Sequence, residues 1–282
     1  MRRIQSPMVI CQRLCGGTFR STDFMKKQLI IFLTLVYITL FSGCAPLYEI
    51  RGDSPLLDAN LTTFLHKWRT DTITPVRNGT YRNVLVNGNP KNKTVALTFD
   101  DSPDENNTYK LLDILDTHDV KAAFFMIGGT MRDGNISVVQ RTDREGHLVL
   151  NHTFNHPRLS DLNESAIISQ LDRAAGRIET ITGHYPLLCR PPYGSINPLV
   201  VDCVNQQGMT TLLWSLDSLD WTLKDPDAVV HNVLSNIRNG DIILMHRNRT
   251  SVASLSNIIE QLKKQGYTFQ RLDELLEVKA YR

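Results

Sequence analysis

The chain has 282 residues, enough for one large domain with a sizeable core or for two small ones. Its 31 basic and 29 acidic side chains nearly cancel, for a formal charge of +2, so the concentrated basic face that a nucleic-acid partner requires is not expected. The composition is that of an ordinary globule rather than a disordered chain, and a neutral ligand is compatible with it.

Residues 1–24 precede the first recognisable signal and are read as a non-native upstream extension, with Met25 as the true start. Lys26 and Lys27 open an apolar run, Leu29 to Phe41, closed by Ser42, Gly43 and Cys44. A basic segment, a short apolar core and small residues before a cut site describe a signal peptide over 25–43. The run is shorter than the roughly 20 apolar residues of a membrane-spanning helix. Its FSGC ending is similar to a bacterial lipobox, with Phe41 where Leu is usual, and implies a lipid on Cys44. An uncleaved signal anchor is the alternative; both leave the protein exported and facing outward from the membrane. Residues 44–90 are polar and irregular, with Pro46, Pro55, Pro75 and Pro90, and are expected to form a spacer with one short helix at Asn60 to Trp68. Of the five cysteines, Cys11 and Cys15 lack partners for a zinc site. Cys189 and Cys203 either pair or are two small buried residues.

The pattern then changes, and 91–282 is expected to be one domain. Strand-like runs at Val95–Phe99, Ala122–Ile127, Leu148–Leu150, Leu187–Cys189, Thr210–Ser215, Ile242–Met245 and Tyr267–Gln270 alternate with helical patterns. The longest helix, Glu164 to about Thr182, carries Ile167, Leu171, Ala174, Ala175 and Ile178 on one side. Strand–helix alternation indicates a parallel sheet with crossover helices. About seven repeats predict an α/β fold, a small or distorted (β/α) barrel, with an open doubly wound sheet as the alternative. In both, ligands bind beyond the C-terminal ends of the strands.

Reactive residue types collect at those ends. Asp100 and Asp101 follow the first strand, His152 and His156 the third, Arg190 the fourth, Asp217 and Asp220 the fifth and His246 the sixth. Two histidines four apart on a helical turn project to one side and can share a metal. By itself the pair is as often incidental; an added carboxylate gives a donor set open to water and substrate, with zinc the first expectation. One of the two aspartates can bind the metal while the other takes a proton from water, although helix capping alone would explain an isolated pair. Arg190, in RPPYG, can clamp one carboxylate, and the stiff turn can aim the Tyr193 amide at an oxyanion. His246 suits a general acid, its pKa raised by Asp217 or Asp220.

Five segments in order, TFDD (Thr98–Asp101), HTFNH (His152–His156), RPPYG (Arg190–Gly194), DSLDW (Asp217–Trp221) and LMH (Leu244–His246), resemble the motifs of the polysaccharide deacetylases of carbohydrate esterase family 4. The resemblance covers roughly 91–276. It implies a distorted barrel with a divalent metal on Asp101, His152 and His156, Asp100 as base, His246 as acid, Arg190 orienting Asp100, and the Tyr193 backbone supporting the oxyanion. It further implies that Asp220 rather than Asp217 pairs with His246, and that Trp221 and Leu244 wall the acetyl pocket. Ser102 departs from the family's usual Gly, which a negative φ accommodates. The implied activity is hydrolytic N-deacetylation of a cell-wall glycan, with N-acetylglucosamine of peptidoglycan first and chitin oligomers, poly-N-acetylglucosamine or O-acetylated xylan as alternatives. A catalytically silent glycan-binding module on the same fold is a different class, against which the complete residue set argues; a wall-anchored structural protein has no feature in its favour. No protein partner is implied.

Overall fold

The computed structural model describes residues 46–282; the extension and signal peptide expected over 1–43, and Cys44, lie outside the described residues. Nine strands form: β1 (Val84–Leu85), β2 (Thr94–Ser102), β3 (Ala123–Met126), β4 (Leu148–Asn151), β5 (Leu188–Cys189), β6 (Thr210–Leu212), β7 (Leu216–Asp217), β8 (Ile242–His246) and β9 (Thr268–Phe269). Eight helices accompany them: α1 (Ala59–Arg77), α2 (Asn107–Thr117), α3 (Asn135–Arg144), α4 (Glu164–Thr182), α5 (Pro198–Gln206), α6 (Pro226–Asn236), α7 (Arg249–Lys264) and α8 (Leu272–Leu276). Every strand pairing is parallel, in the order β1-β6-β5-β4-β3-β2-β8-β7, with β9 on β2. The seven expected strands all form. The fifth of them, Thr210–Ser215, breaks after Leu212, so that β6 pairs with β5 while β7, four residues on, pairs with β8. One run of chain thereby serves both ends of the sheet and curls it into an incomplete, distorted barrel.

The period-2 alternation of β2 sorts its side chains between two environments. Val95, Leu97 and Phe99 join a core with α2 and α7 through Leu111, Leu112, Leu115, Leu255 and Ile259. Ala96, on the other face, packs with Phe125, Leu148, Leu150, Ile242 and Leu244. Parallel register carries this facing across the sheet: Ala96 pairs with Ile242, Thr98 with Leu244 and Asp100 with His246. The inward stripe thus runs from apolar residues at its base to ionisable ones at its C-terminal rim.

Residues 46–90, expected as a spacer, are folded into the same unit as the barrel. Arg51 donates its N–H to the Ser215 carbonyl at 2.9 Å, and its own carbonyl accepts from Asp217 at 2.7 Å, extending the sheet beyond β7. The short helix expected over Asn60–Trp68 runs on to Arg77, Pro75 included. Its buried face, Leu65, Arg69, Thr72 and Ile73, outweighs the propensity cost of Pro75 and the threonines. Cys189 and Cys203 are both free and buried, beside Leu171, Val200 and Met209, which is the second of the two expected states. Among the described residues no helix is long and apolar enough to cross a membrane.

Candidate active site

Adjacent strand residues point to opposite faces, so Asp100 and Asp101 need a local irregularity to share one site. The β2–β3 register shifts between Phe99 and Ser102, and Asp101 takes a φ of 67°. This bulge turns the Asp101 carboxylate back toward the rim that Asp100 already faces. Ser102 is not among the positive-φ residues, which accommodates its side chain where a glycine was the family's usual choice. Arg247 fixes the turn from the end of β8, its Nε donating to the Asp101 carbonyl and its Nη1 to Asp104 Oδ2 at 3.2 Å.

His152 and His156 come together by a loop and not by the helical turn expected from their spacing. The stretch after β4 is irregular, with Thr153 at φ 65° and His156 at φ 59°. Side chains hold it: Asn151 Oδ1 accepts from the Thr153 N–H, Gln170 Oε1 from Phe154 and Asn155, and Thr153 Oγ1 from His156. Positive φ at non-glycine residues costs on the order of 1–3 kcal/mol each and persists only where surroundings enforce it. Asp101, Thr153, His156, Tyr193 and Leu219 all carry it, and all lie at this rim.

The two imidazoles converge on one oxygen. Asp101 Oδ1 lies 3.0 Å from His156 Nε2 and 3.5 Å from His152 Nε2. One ligand atom from each of these residues falls within 4.8 Å of the others. His152 Nδ1 sits 2.7 Å from the Arg190 carbonyl, an acceptor only, so Nδ1 carries the proton and Nε2 presents its lone pair inward. Asp101 Oδ1 is buried without a hydrogen-bond donor among the described residues. Acceptors crowded together in this way suit a cation, and the donor set of two imidazoles and one carboxylate fits a divalent metal with open coordination positions.

Asp100 lies beside this cluster, Oδ2 3.8 Å from His152 Nε2. Its other oxygen accepts from Arg190 Nη1 at 2.7 Å. Arg190 is fully buried; it also donates to the Thr98 hydroxyl and the Leu213 carbonyl and lies over the rings of Phe125 at 4.1 Å and Trp214 at 5.6 Å. Burial lowers the guanidinium pKa, and the Asp100 charge opposes that shift. A buried charge of this kind is tolerated only with its partner in place.

His246 completes the rim opposite. Asp220 Oδ1 is 2.8 Å from its Nδ1, and Asp220 Oδ2 accepts from the His246 backbone N–H at 2.6 Å, from the Ser251 hydroxyl and from Asn248 at 3.1 Å. Burial by itself would depress the imidazole pKa; the Asp220 charge and hydrogen bond, with Asp100 and Asp101 nearby, outweigh it and hold it at about 10. The same pairing holds Asp220 below the usual range despite burial. Asp217 is differently engaged: burial pushes its pKa up, and its carboxylate accepts from the Leu219 N–H and Trp221 Nε1.

A cleft of about 340 Å3 opens over these groups, lined by Asp100, Asp101, His152, His156, Tyr193, Trp221, Leu244 and His246. Arg190 and Asp220 lie just behind it, touching Asp100 and His246. All eleven residues singled out in the sequence, Asp217 in the lining included, are therefore brought together. Reasoning from the sequence missed Phe64, Leu65 and Trp68 of α1, Arg158 and Trp214, which line the same cleft. The apolar spacing of Phe64, Leu65 and Trp68 was the one signal available for them.

A family profile described as polysaccharide deacetylase matches residues 87–212. A peptidoglycan-N-acetylglucosamine deacetylase of Bacillus cereus is 37% identical over 199 residues, 68% of this chain and 72% of that protein. The chain belongs to the polysaccharide deacetylase family. The match to the peptidoglycan-N-acetylglucosamine deacetylase PgdA of Listeria monocytogenes, 37% identical over 185 residues, covers 65% of this chain but 39% of PgdA, so the chain spans well under half that relative's length. Among solved structures, the peptidoglycan N-acetylglucosamine deacetylase Bc1960 aligns with a TM-score of 0.69 at 34% identity, over 72% of this chain and 97% of that one. A family 4 pseudoenzyme of Bacillus anthracis, BA3943, aligns at 0.65 and 31% identity over 68% of each chain. Fold and family therefore do not by themselves decide activity, and the argument for it stands on the site.

Proposed function

We propose that the protein is a metal-dependent hydrolase that removes acetyl groups from N-acetylglucosamine units of peptidoglycan, acting outside the membrane and facing the wall. The observation that carries this reading is the orphaned Asp101 oxygen between two inward-facing imidazoles, with a buried Arg–Asp pair on one side and an Asp–His pair on the other. The names of the B. cereus and L. monocytogenes relatives support the substrate class. Export and a lipid anchor at Cys44 belong to the same reading and rest on the sequence of the N-terminal segment.

Asp101, His152 and His156 would hold the metal, with zinc the expected ion. When bound, such an ion would polarise the acetamide carbonyl and lower the pKa of water. Asp100 takes the proton of the attacking water; the Arg190 contact holds one carboxylate oxygen, so that the free oxygen faces the metal ligands. The Tyr193 backbone N–H, turned by a φ of 62°, donates to the oxyanion of the tetrahedral intermediate. His246, fixed at Nδ1 by Asp220, delivers the Nε2 proton to the departing amine. Trp221 and Leu244 bound the space for the acetyl methyl. Acetate and a glucosamine unit result. Incubation with a chelator is expected to abolish acetate release from purified peptidoglycan, and zinc to restore it. Activity that survives complete metal removal would overturn the metal-dependent reading, and a faster reaction on chitin oligomers would reassign the substrate.

A further inference from the structure

Helix α1 lies wholly before the stretch matched to the family, 87–212, yet it forms one wall of the cleft. Its attachment is specific. Trp68 stacks on Trp214 with ring centroids 5.4 Å apart and planes 23° from parallel. Gly194, in the RPPYG turn, has a φ of 58°, and a Cβ there would come within 2.6 Å of Trp68 Cζ2 and 2.9 Å of Trp214 Cη2. The turn that carries Tyr193 is thus shaped to receive the α1 tryptophan. Arg69, buried one residue on, pairs with Asp53 at 2.9 Å and donates to the Gly52 carbonyl. These contacts hold the helix rigidly over the rim.

Phe64 is one turn earlier on the same face, about 6 Å along the axis at 1.5 Å per residue. It lines the cleft but is 59% exposed. Across the opening, Tyr193 is 55% and Trp221 39% exposed. Three large aromatic side chains left in water at the mouth of one cleft are not accounted for by packing. Flat aromatic faces fit the C–H faces of pyranose rings, because both surfaces are apolar and the sugar hydroxyls around the edge stay solvated. The catalytic groups deal with one acetamide, whereas α1 lines the same cleft with the apolar side chains of Phe64, Leu65 and Trp68.

We propose that α1 supplies a binding subsite for the sugar next to the one being deacetylated, with Phe64 as its stacking face and Trp68 as its anchored base. The protein accordingly binds an oligomeric stretch of glycan in preference to a single sugar. This rests on the reading of the cleft as a glycan site, and the test separates the two. Binding of N-acetylglucosamine and of its linear tetramer is followed by tryptophan fluorescence in the zinc-loaded protein, with acetate release measured in parallel, for the wild type, Phe64→Ala and Phe64→Tyr. The wild type is expected to bind the tetramer at least tenfold more tightly than the single sugar. Phe64→Ala is expected to lose about tenfold in tetramer affinity and most of that length preference, and Phe64→Tyr to retain both. Equal binding of the two sugars by the wild type, an unchanged preference in Phe64→Ala, or an equal loss in Phe64→Tyr would overturn the subsite. Absence of acetate release together with length-dependent binding lost in Phe64→Ala would instead remove the deacetylase reading and leave the subsite standing.

Discussion

Asp100 and His246 face each other across the β2–β8 register, and each is held by one buried partner. The sign of the effect at His246 is fixed by Asp220. A raised pKa keeps the imidazole protonated to higher pH, so the acid form is lost as pH climbs through that value. Asp220→Asn removes the charge that raises it. The alkaline limb of kcat/KM is therefore expected to move to lower pH in that variant, with activity reduced by one to two orders of magnitude; an unmoved limb would mean that His246 is not the titrating acid. The motif residues were legible in the sequence because each stands directly after an apolar run, where a parallel α/β sheet gathers side chains. The choice of Asp220 over Asp217 was not legible from spacing alone. It depends on Leu219 at φ 61°, which turns the two carboxylates to different partners.

At the scale of elements, local geometry departs from regular structure wherever the site demands it. The β2 bulge and the non-helical His152–His156 loop each replace the simpler geometry that residue spacing implied. Neither has a sequence signature, because both are enforced by distant partners such as Arg247 and Gln170. Helix α1 was only half legible: Thr70, Thr72 and Pro75 argue against continuation, and burial against the barrel overrules them. The Trp68–Trp214–Gly194 junction ties this helix to the RPPYG turn. Gly194→Ala is expected to destabilise the fold by about 1–3 kcal/mol in denaturant unfolding, from a left-handed φ and a Cβ overlap together. A neutral substitution would mean that the helix yields at little cost. The brief strand β1 and the break between β6 and β7 were missed: β1 lies in a polar stretch, and the break falls inside one mostly apolar run.

For the whole molecule, the barrel core sets a pH limit of its own through His147, away from the cleft. Its side chain is fully buried, Nδ1 accepts the Ala122 N–H at 3.1 Å, and burial drives its pKa down to about 3. The unfolded imidazole binds its proton near 6.5 and the folded one only near 3. Between those values the unfolded chain holds more protons, so stability falls as pH drops through that window and is unaffected above it. The loss approaches roughly 5 kcal/mol at the acid end. His147→Asn keeps an acceptor for Ala122 and removes the titration, so its unfolding free energy is expected to depend less steeply on pH between 6.5 and 3; an unchanged slope would assign acid sensitivity elsewhere. Fold class, strand order of the motifs and the site itself were readable in the chain, whereas the folding of 46–90 onto the rim was not, since its polar composition resembles a linker. A structural neighbour that is a pseudoenzyme makes catalysis the point to settle. The most direct measurement is acetate release from purified peptidoglycan by the zinc-loaded wild type and by Asp100→Asn, both verified as folded. Release by the wild type, lowered by about 10²–10⁴ in the variant, is the expected result. No release by the wild type from any acetylated glycan, or equal release by both proteins, would contradict the account.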